Sequence, residues 1–337
     1  MSHYKLHSHC FLTKGPLRSI IVDLERRRYE TIPCDMHDLI DSFKDGHANW
    51  AAILDPYAHE DRMVLNQYLD WLLTKEYVFK YDTTHQNLKP VPLIYESAFL
   101  VDSAIIDLSS DSKYSVPKVL AELAVLRCKS LQIRDYDGYH ARALTEAILM
   151  ADDSFVCNIH VLLKATERSL ALEKMLLTSP RVSSIVIHGC SARLISDLRE
   201  FSDKRLTYTP TLVTNEACCG AISERYFTVN HRCASLGLFG NTCLYKKISV
   251  DRFGNIKNCP SSIESYGRLQ ETTLESALED QHFRSLWHIT KSQVEVCKDC
   301  EFRMICTDCR AYRKDMSNLL SKPLKCNYDP YSAQWSA

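Results

Sequence analysis

The hydrophobic rhythm of the chain changes twice, dividing it into three units. In the first, Arg18 to Leu24 and Tyr29 to Ile32 are β-prone runs on either side of the charged turn Glu25-Arg26-Arg27-Arg28, the pattern of a hairpin. From Asp35 to Phe43 the apolar residues Met36, Leu39, Ile40 and Phe43 recur at helical spacing, with Asp35 as the expected N-cap. A second helix is expected from about Glu60 to Thr74, carrying Met63, Leu65, Tyr68, Leu69, Leu72 and Leu73, and Tyr77 to Tyr81 is expected to return as a wing strand. A hairpin, helices and a wing predict a small peptide- or nucleic-acid-docking unit over residues 1–85, followed by a linker over residues 86–92.

From about residue 100 strand and helix patterns alternate. Strands are predicted at Ala104–Leu108, Leu131–Arg134, Val156–Leu162, Ser184–Ile187, Thr207–Val213 and Tyr226–Val229. Helices are predicted between them at Val116–Leu126, Tyr139–Met150, Glu167–Leu177 and Ala192–Phe201, with a short one near Ala217–Ser223. Repeated βα units imply a parallel sheet with helices packed outside it, an α/β open sheet or partial barrel over residues 86–230. The third unit, residues 231–337, is loop-rich and cysteine-rich, with one helix expected around Leu274–Trp287.

Composition narrows the function classes. With 337 residues the chain can bury a sizeable core, and a net charge of −1 gives no bulk attraction to nucleic acid or to an anionic membrane. No run approaches the ~20 apolar residues that span a bilayer, and Met1 to Cys10 lacks the apolar stretch of a signal peptide. Fifteen cysteines in such a chain point to metal ligation in a reducing compartment, the cytoplasm, rather than to disulfides. The nine glycines form neither G-x-G-x-x-G nor G-x4-G-K-[ST], so no glycine-rich phosphate cradle is expected.

The cysteines are ordered. Cys243, Gly254 and Cys259 give C-x10-G-x4-C; Cys297, Cys300, Cys306 and Cys309 give C-x2-C-x5-C-x2-C; Cys326 follows. Thiolates at such spacings hold metal, which replaces the core that a loop-rich segment cannot build. A zinc ribbon separates its cysteine pairs by about 15–20 residues, whereas five residues lie between Cys300 and Cys306. That favours iron–sulfur clusters over structural zinc.

This constellation resembles the SPASM domain of radical S-adenosylmethionine peptide-modifying enzymes, departing from it in the two-residue spacing between Cys306 and Cys309 where the family has three. Phrases such as Lys14-Gly15-Pro16-Leu17-Arg18-Ser19-Ile20-Ile21, Gly254-Asn255-Ile256-Lys257-Asn258-Cys259-Pro260-Ser261 and Cys297-Lys298-Asp299-Cys300-Glu301-Phe302-Arg303 resemble the SPASM-domain maturases of grasp-with-spasm systems. In those systems a maturase works beside an ATP-grasp ligase on a small ribosomal precursor peptide. The resemblance implies two auxiliary 4Fe–4S clusters. Cys243, Cys259 and Cys309 go to the first, and Cys297, Cys300, Cys306 and Cys326 to the second. The first then lacks a ligand: Cys219 is the favoured one, with Cys218, Cys233 or an open iron site as the alternatives. The resemblance further implies that residues 1–85 form a PqqD-like unit gripping the leader of the precursor as an added strand, on Arg18–Leu24 or Tyr29–Ile32. The middle unit would be a degenerate partial (β/α)6 barrel.

The family's C-x3-C-x2-C motif is absent. The loop expected to carry it, Leu108-Ser109-Ser110-Asp111-Ser112-Lys113-Tyr114-Ser115, has no cysteine, and Cys128, Cys157 and Cys190 read as small buried hydrophobes. No S-adenosylmethionine binding is therefore expected. The chain reads either as a maturase whose chemistry belongs to the auxiliary clusters or as a non-catalytic adaptor presenting the precursor to an ATP-grasp ligase. A zinc-stabilised regulatory protein is the distant third reading. Arg134, Asp135 and Asp137 after the second barrel strand are expected in a solvated loop, and His3, His7, His9, His37, His47 and His59 as scattered surface histidines without metal spacing.

Overall fold

The computed structural model describes residues 3–44, 48–81, 88–151, 154–198 and 203–336. Gln86 and Asn87 of the expected linker, and the end of the helix expected to reach Phe201, lie outside them.

The N-terminal unit contains two small antiparallel sheets. One has the order β5 (Ala48–Asn49), β1 (His3–Leu6), β6 (Val78–Tyr81); the other has the order β2 (Cys10–Lys14), β3 (Arg18–Asp23), β4 (Arg28–Pro33). The expected hairpin is β3–β4, and its turn uses Arg27 at φ 54°. The short first strands and β5 escape sequence reading because each is too brief for alternation to show. Helix α1 (Cys34–Asp41) starts one residue before the expected cap. Pro33 precedes it, and Asp35 lies in the first turn, where a carboxylate meets the positive end of the helix dipole. A short α2 (Trp50–Leu54) and the long α3 (His59–Thr74) complete the unit.

Strand β3 is buried on both faces. Ile21 packs with Leu6, Cys10, Ile32, Met36, Ile40, Phe43 and Leu72. Ile20 and Val22 point the other way, against Phe302, Ile305, Cys306 and Tyr328. The alternation of the strand thus joins two cores. It also corrects one expectation: β3 is paired with β2 and β4 at once, so Arg18–Leu24 offers no free edge to a peptide. The open edge of this hairpin is β4.

The middle of the chain forms a seven-stranded sheet in the order β11-β10-β9-β8-β7-β12-β13. Its strands are β7 (Ser103–Leu108), β8 (Ser130–Asp135), β9 (Asn158–Lys164), β10 (Val182–His188), β11 (Leu206–Thr209), β12 (Lys247–Val250) and β13 (Ile256–Lys257). All neighbouring pairs are parallel except β12–β13. Helices α4 (Val116–Val125), α5 (Ala141–Ala151), α6 (Glu167–Thr178) and α7 (Ala192–Leu198) follow the first four strands. The α/β expectation holds as a mixed fold built on this mostly parallel sheet. The sixth predicted strand does not form: Glu224–Tyr226 is a 3-10 turn, and Phe227 and Val229 pack against the hairpin core instead. The place beside β7 is taken by β12, from the cysteine-rich segment.

That segment begins with α8 (His231–Phe239), which Asn230 caps by accepting from Cys233 N at 2.8 Å. The hairpin β12–β13 turns at Gly254, whose φ of 84° favours glycine. The single helix expected at Leu274–Trp287 is two, α9 (Leu274–Glu279) and α10 (Gln281–Ser285), because Asp280 is extended and caps His282 N at 2.7 Å. A short pair, β14 (Tyr328–Asp329) and β15 (Gln334–Trp335), closes the chain. Among the described residues no helix is long and apolar enough to cross a membrane.

Candidate metal centre

The seven cysteines singled out by spacing, with Cys219, fall into two groups by their proximity. Cys259 feels the charges of Cys243, Lys247 and Cys219, and Cys309 those of Cys243 and Cys219. A side chain at Gly220, where φ is 86°, would come within 3.1 Å of Cys309 Sγ, which ties the Cys219–Gly220 step to Cys309. The second group is Cys297, Cys300, Cys306 and Cys326: Cys306 feels Cys326 and Cys297, and Cys300 feels Cys306. The chain interleaves the groups, since Cys306 and Cys309, three residues apart, belong to different ones.

The other candidates for the missing ligand stand differently. Cys233 is buried on α8 among the charges of Lys291 and Arg232, and burial pushes its thiol up to about 11. Cys218 is exposed, and hydrogen bonds from the backbone around Thr214 hold its thiol below the ordinary value. Cys219 is also exposed, and its carbonyl accepts from Lys325 Nζ at 2.6 Å.

Each group has a lysine in its midst. Lys247 Nζ approaches Cys243 Sγ at 3.4 Å. Burial opposes its charge, but Cys243 and Cys259 more than offset that, so its ammonium is held. Lys291 is 4% exposed beside Cys306, Cys297 and Asp308, and its ammonium is likewise held against burial. Asp308 is fixed in turn by Arg310 at 2.7 Å and Asn241 at 2.7 Å. Sequence reading missed these lysines; for Lys247 the signal was a lysine opening the apolar strand β12, where a charge needs a partner.

Burial is the main force on the thiols themselves. It pushes Cys259 and Cys306 up to about 12 and raises Cys297, Cys300 and Cys309, with neighbouring thiolates adding to the rise. Packing several buried thiols together makes each ionisation harder for the next; a bound cation reverses that, because coordination displaces the proton. The donor set therefore fits a thiolate-bound metal centre. Its spread does not fit one zinc ion. Thiolates about 2.3 Å from a tetrahedral zinc sit roughly 3.8 Å apart. Among the described residues, the one trio of potential ligand atoms within 4.8 Å of one another is His9, Cys10 and Asp23, none of them in either group.

At the ends of β7 and β8, beside the loop of residues 108–115, the structure has a buried ion pair. Asp107 and Arg134 are register partners on β7 and β8. Arg134 donates twice to the carboxylate, at 2.6 and 2.7 Å, and the Tyr136 hydroxyl donates a third bond at 2.7 Å. Asp135 accepts from the backbone of Gly138 and His140 at 3.1 and 2.9 Å, and Asp137 from Ser110 N at 2.6 Å. This overturns the expected solvated loop: Arg134 and Asp135 are buried, because the loop folds back over the strand ends and needs acceptors for its own amides. Beside it a cavity of about 490 Å³ is lined by Ser110, Asp137, Gly138, Tyr139, Thr166 and Glu167. His3, His7, His37 and His59 belong to neither cysteine group, and His47 lies outside the described residues; His188, which sequence reading passed over, is fully buried at the end of β10 and accepts from Val213 N at 3.2 Å.

The hairpin meets the second cysteine group directly. Arg18 Nε donates to Glu301 Oε1 at 2.7 Å and its Nη2 to the Tyr328 hydroxyl at 3.0 Å, while Arg303 donates to Lys14 O at 2.7 Å. Beside this junction, Arg27, Arg28 and Tyr29 of the hairpin face Glu224, Phe227, Thr228 and Val229 across a cleft of about 460 Å³. A scan against protein-family models gives no match, and no curated protein matches the chain.

Proposed function

We propose that the chain matures a ribosomally made precursor peptide as a SPASM-type protein of the radical S-adenosylmethionine superfamily, holding two auxiliary 4Fe–4S clusters and gripping the leader of its substrate. The observation that carries this reading is the sorting of eight cysteines into two interleaved groups, each built around a lysine that compensates thiolate charge. Cys219, Cys243, Cys259 and Cys309 would hold one cluster, and Cys297, Cys300, Cys306 and Cys326 the other. Bound there, the clusters would hold the loops together and supply a route for electrons; the lysines would balance their charge. The working compartment would be the reducing cytoplasm. Anaerobically isolated protein should contain about eight iron and about eight sulfide per chain. One zinc or more with no sulfide would refute the assignment.

A second reading, an adaptor that presents the precursor to an ATP-grasp ligase, is favoured by a separate observation. The loop after β7 has no cysteine, and the Asp107–Arg134–Tyr136 network fills the strand ends beside it. Anaerobic protein given a strong reductant and S-adenosylmethionine should therefore form 5′-deoxyadenosine no faster than a protein-free control. Release well above that control would return the chain to the standard radical enzymes.

The leader would add as a strand to β4, the free edge of the hairpin, and run into the cleft floored by Tyr29 and Phe227. Arg27 and Arg28 on one wall and Glu224 on the other would orient it. Tyr29→Ala should weaken leader binding about tenfold by calorimetry, since a buried aromatic at an interface centre commonly contributes more than ~1 kcal/mol. Equal affinity of parent and variant would move recognition elsewhere.

A further inference from the structure

We propose that His9, Cys10 and Asp23 bind a borderline divalent metal ion, zinc by the chemistry of the donors, at a site separate from the C-terminal cysteines. The β2–β3 ladder makes Cys10 and Asp23 register partners, and His9 stands one residue before. The three ligand atoms lie within 4.8 Å of one another. Cys10 is 5% exposed and Asp23 fully buried.

The histidine is set as a metal-binding histidine is. Its Nδ1 lies 3.2 Å from Glu25 Oε2, a carboxylate that favours a proton on Nδ1 and so would leave Nε2 with a lone pair. Nε2 is buried, has no hydrogen-bond partner, and lies 3.6 Å from Asp23 Oδ1. An imidazole nitrogen that is buried, bare and faced by a carboxylate and a thiol is costly unless something accepts its electrons.

The charges close around a divalent ion. Asp23 Oδ1 accepts from the backbone of Glu25 at 3.1 Å and Arg26 at 2.9 Å; Oδ2 faces Arg26 at 3.2 Å and Arg28 at 3.6 Å; Arg26 also pairs with Glu76. A Cys10 thiolate with Asp23, Glu25 and Glu76 carries four negative charges, Arg26 and Arg28 two positive ones, so an ion of charge two brings the group to neutrality. A thiolate, an imidazole and one carboxylate oxygen select zinc over magnesium or calcium, which take oxygen donors. The ring of His7 stacks on that of His9 with centroids 5.2 Å apart, placing a second imidazole beside the trio. Burial pushes the Cys10 thiol up to about 12, with Asp23 adding to it, so metal entry would release one proton from sulfur. The site lies where the chain crosses from one N-terminal sheet to the other, since His7 N donates to Tyr77 O at 2.9 Å and Leu24 N to His9 O at 3.1 Å. The ion would pin that crossing.

The test is a competition titration with a chromophoric zinc chelator under reducing conditions, on the full chain carrying its iron and sulfide. The parent should bind one zinc more per chain than Cys10→Ser, with equal iron in both. Glu25→Gln changes an exposed side chain that orients His9 and supplies one of the four negative charges without being a ligand; it should keep the extra zinc but bind it about 10–100-fold more weakly. Identical zinc binding by parent and Cys10→Ser would overturn the site. Should Cys10→Ser fail to fold, Glu25→Gln decides: an affinity equal to that of the parent overturns it.

Discussion

Cys306→Ala should halve the iron content and free the N-terminal hairpin, whereas Cys309→Ala should halve the iron content and leave the hairpin in place. The two positions are three residues apart, yet they border different cores. Cys306 packs with Ile20, Val22, Phe302, Ile305 and Tyr328, the seam between β3 and the C-terminal segment. Cys309 lies against the core of the seven-stranded sheet. Under the proposed assignment each substitution removes one of four thiolate ligands, and a four-iron cluster missing a ligand is readily lost. Metal binding in a loop-rich segment is also folding free energy, so losing the second centre should loosen the loops of residues 297–306 and with them the apolar surface on which Ile20 and Val22 rest. Iron and sulfide analysis reads the first effect; amide hydrogen exchange along Arg18–Asp23 reads the second. Cys157→Ala, at an exposed cysteine, should change neither. Equal exchange of the β3 amides in the two variants would show that the hairpin is held independently of the second cysteine group, by contacts such as Arg18–Glu301 and the packing of Ile20 and Val22.

The reach of the sequence follows the range of the interactions. Strands β7 and β10 were legible as the apolar runs Ile105-Ile106 and Ile185–Ile187, and β8 and β9 by alternation, with Leu131 and Ile133, and Ile159, Val161 and Leu163, as their buried positions. The cysteine spacing was legible because Cys297, Cys300, Cys306 and Cys309 lie close in the chain, although the two groups divide them. Non-local pairing was not. Nothing in Lys247–Val250 announces β7 as its partner, and Arg18 and Glu301 are 283 residues apart. Tyr226–Val229 misled because alternating large residues need a surface to cover, not a ladder, and the hairpin core supplied one. His7-Ser8-His9-Cys10 was a readable signal for the N-terminal trio, but only the register of β2 on β3 brings Asp23 to it.

The ion pair at the strand ends carries the other large effect. Arg134→Leu should destabilise the chain by about 3–5 kcal/mol, because it leaves the buried Asp107 carboxylate with the Tyr136 hydroxyl alone. Asp107→Asn should cost less, since the amide oxygen still accepts from the guanidinium. The double variant Asp107→Leu/Arg134→Leu should recover most of the loss: the two positions are register partners on adjacent strands, and apolar side chains of similar volume remove both desolvation penalties together. Denaturant midpoints of the parent, Asp107→Leu, Arg134→Leu and the double variant close the cycle, with a coupling energy of at least ~2 kcal/mol expected between the two positions. An additive cycle would mean that the loop from Tyr136 to His140, and not the pair, holds the strand ends. The comparison also bears on function. If the double variant is as stable as the parent and still supports peptide maturation with its partner ligase, the ends of β7 and β8 serve only the fold, and the chemistry lies with the cysteines or with the partner. If it is stable and maturation fails, the charge pair is part of the substrate site, and the cavity lined by Asp137, Tyr139 and Glu167 is where the peptide must reach.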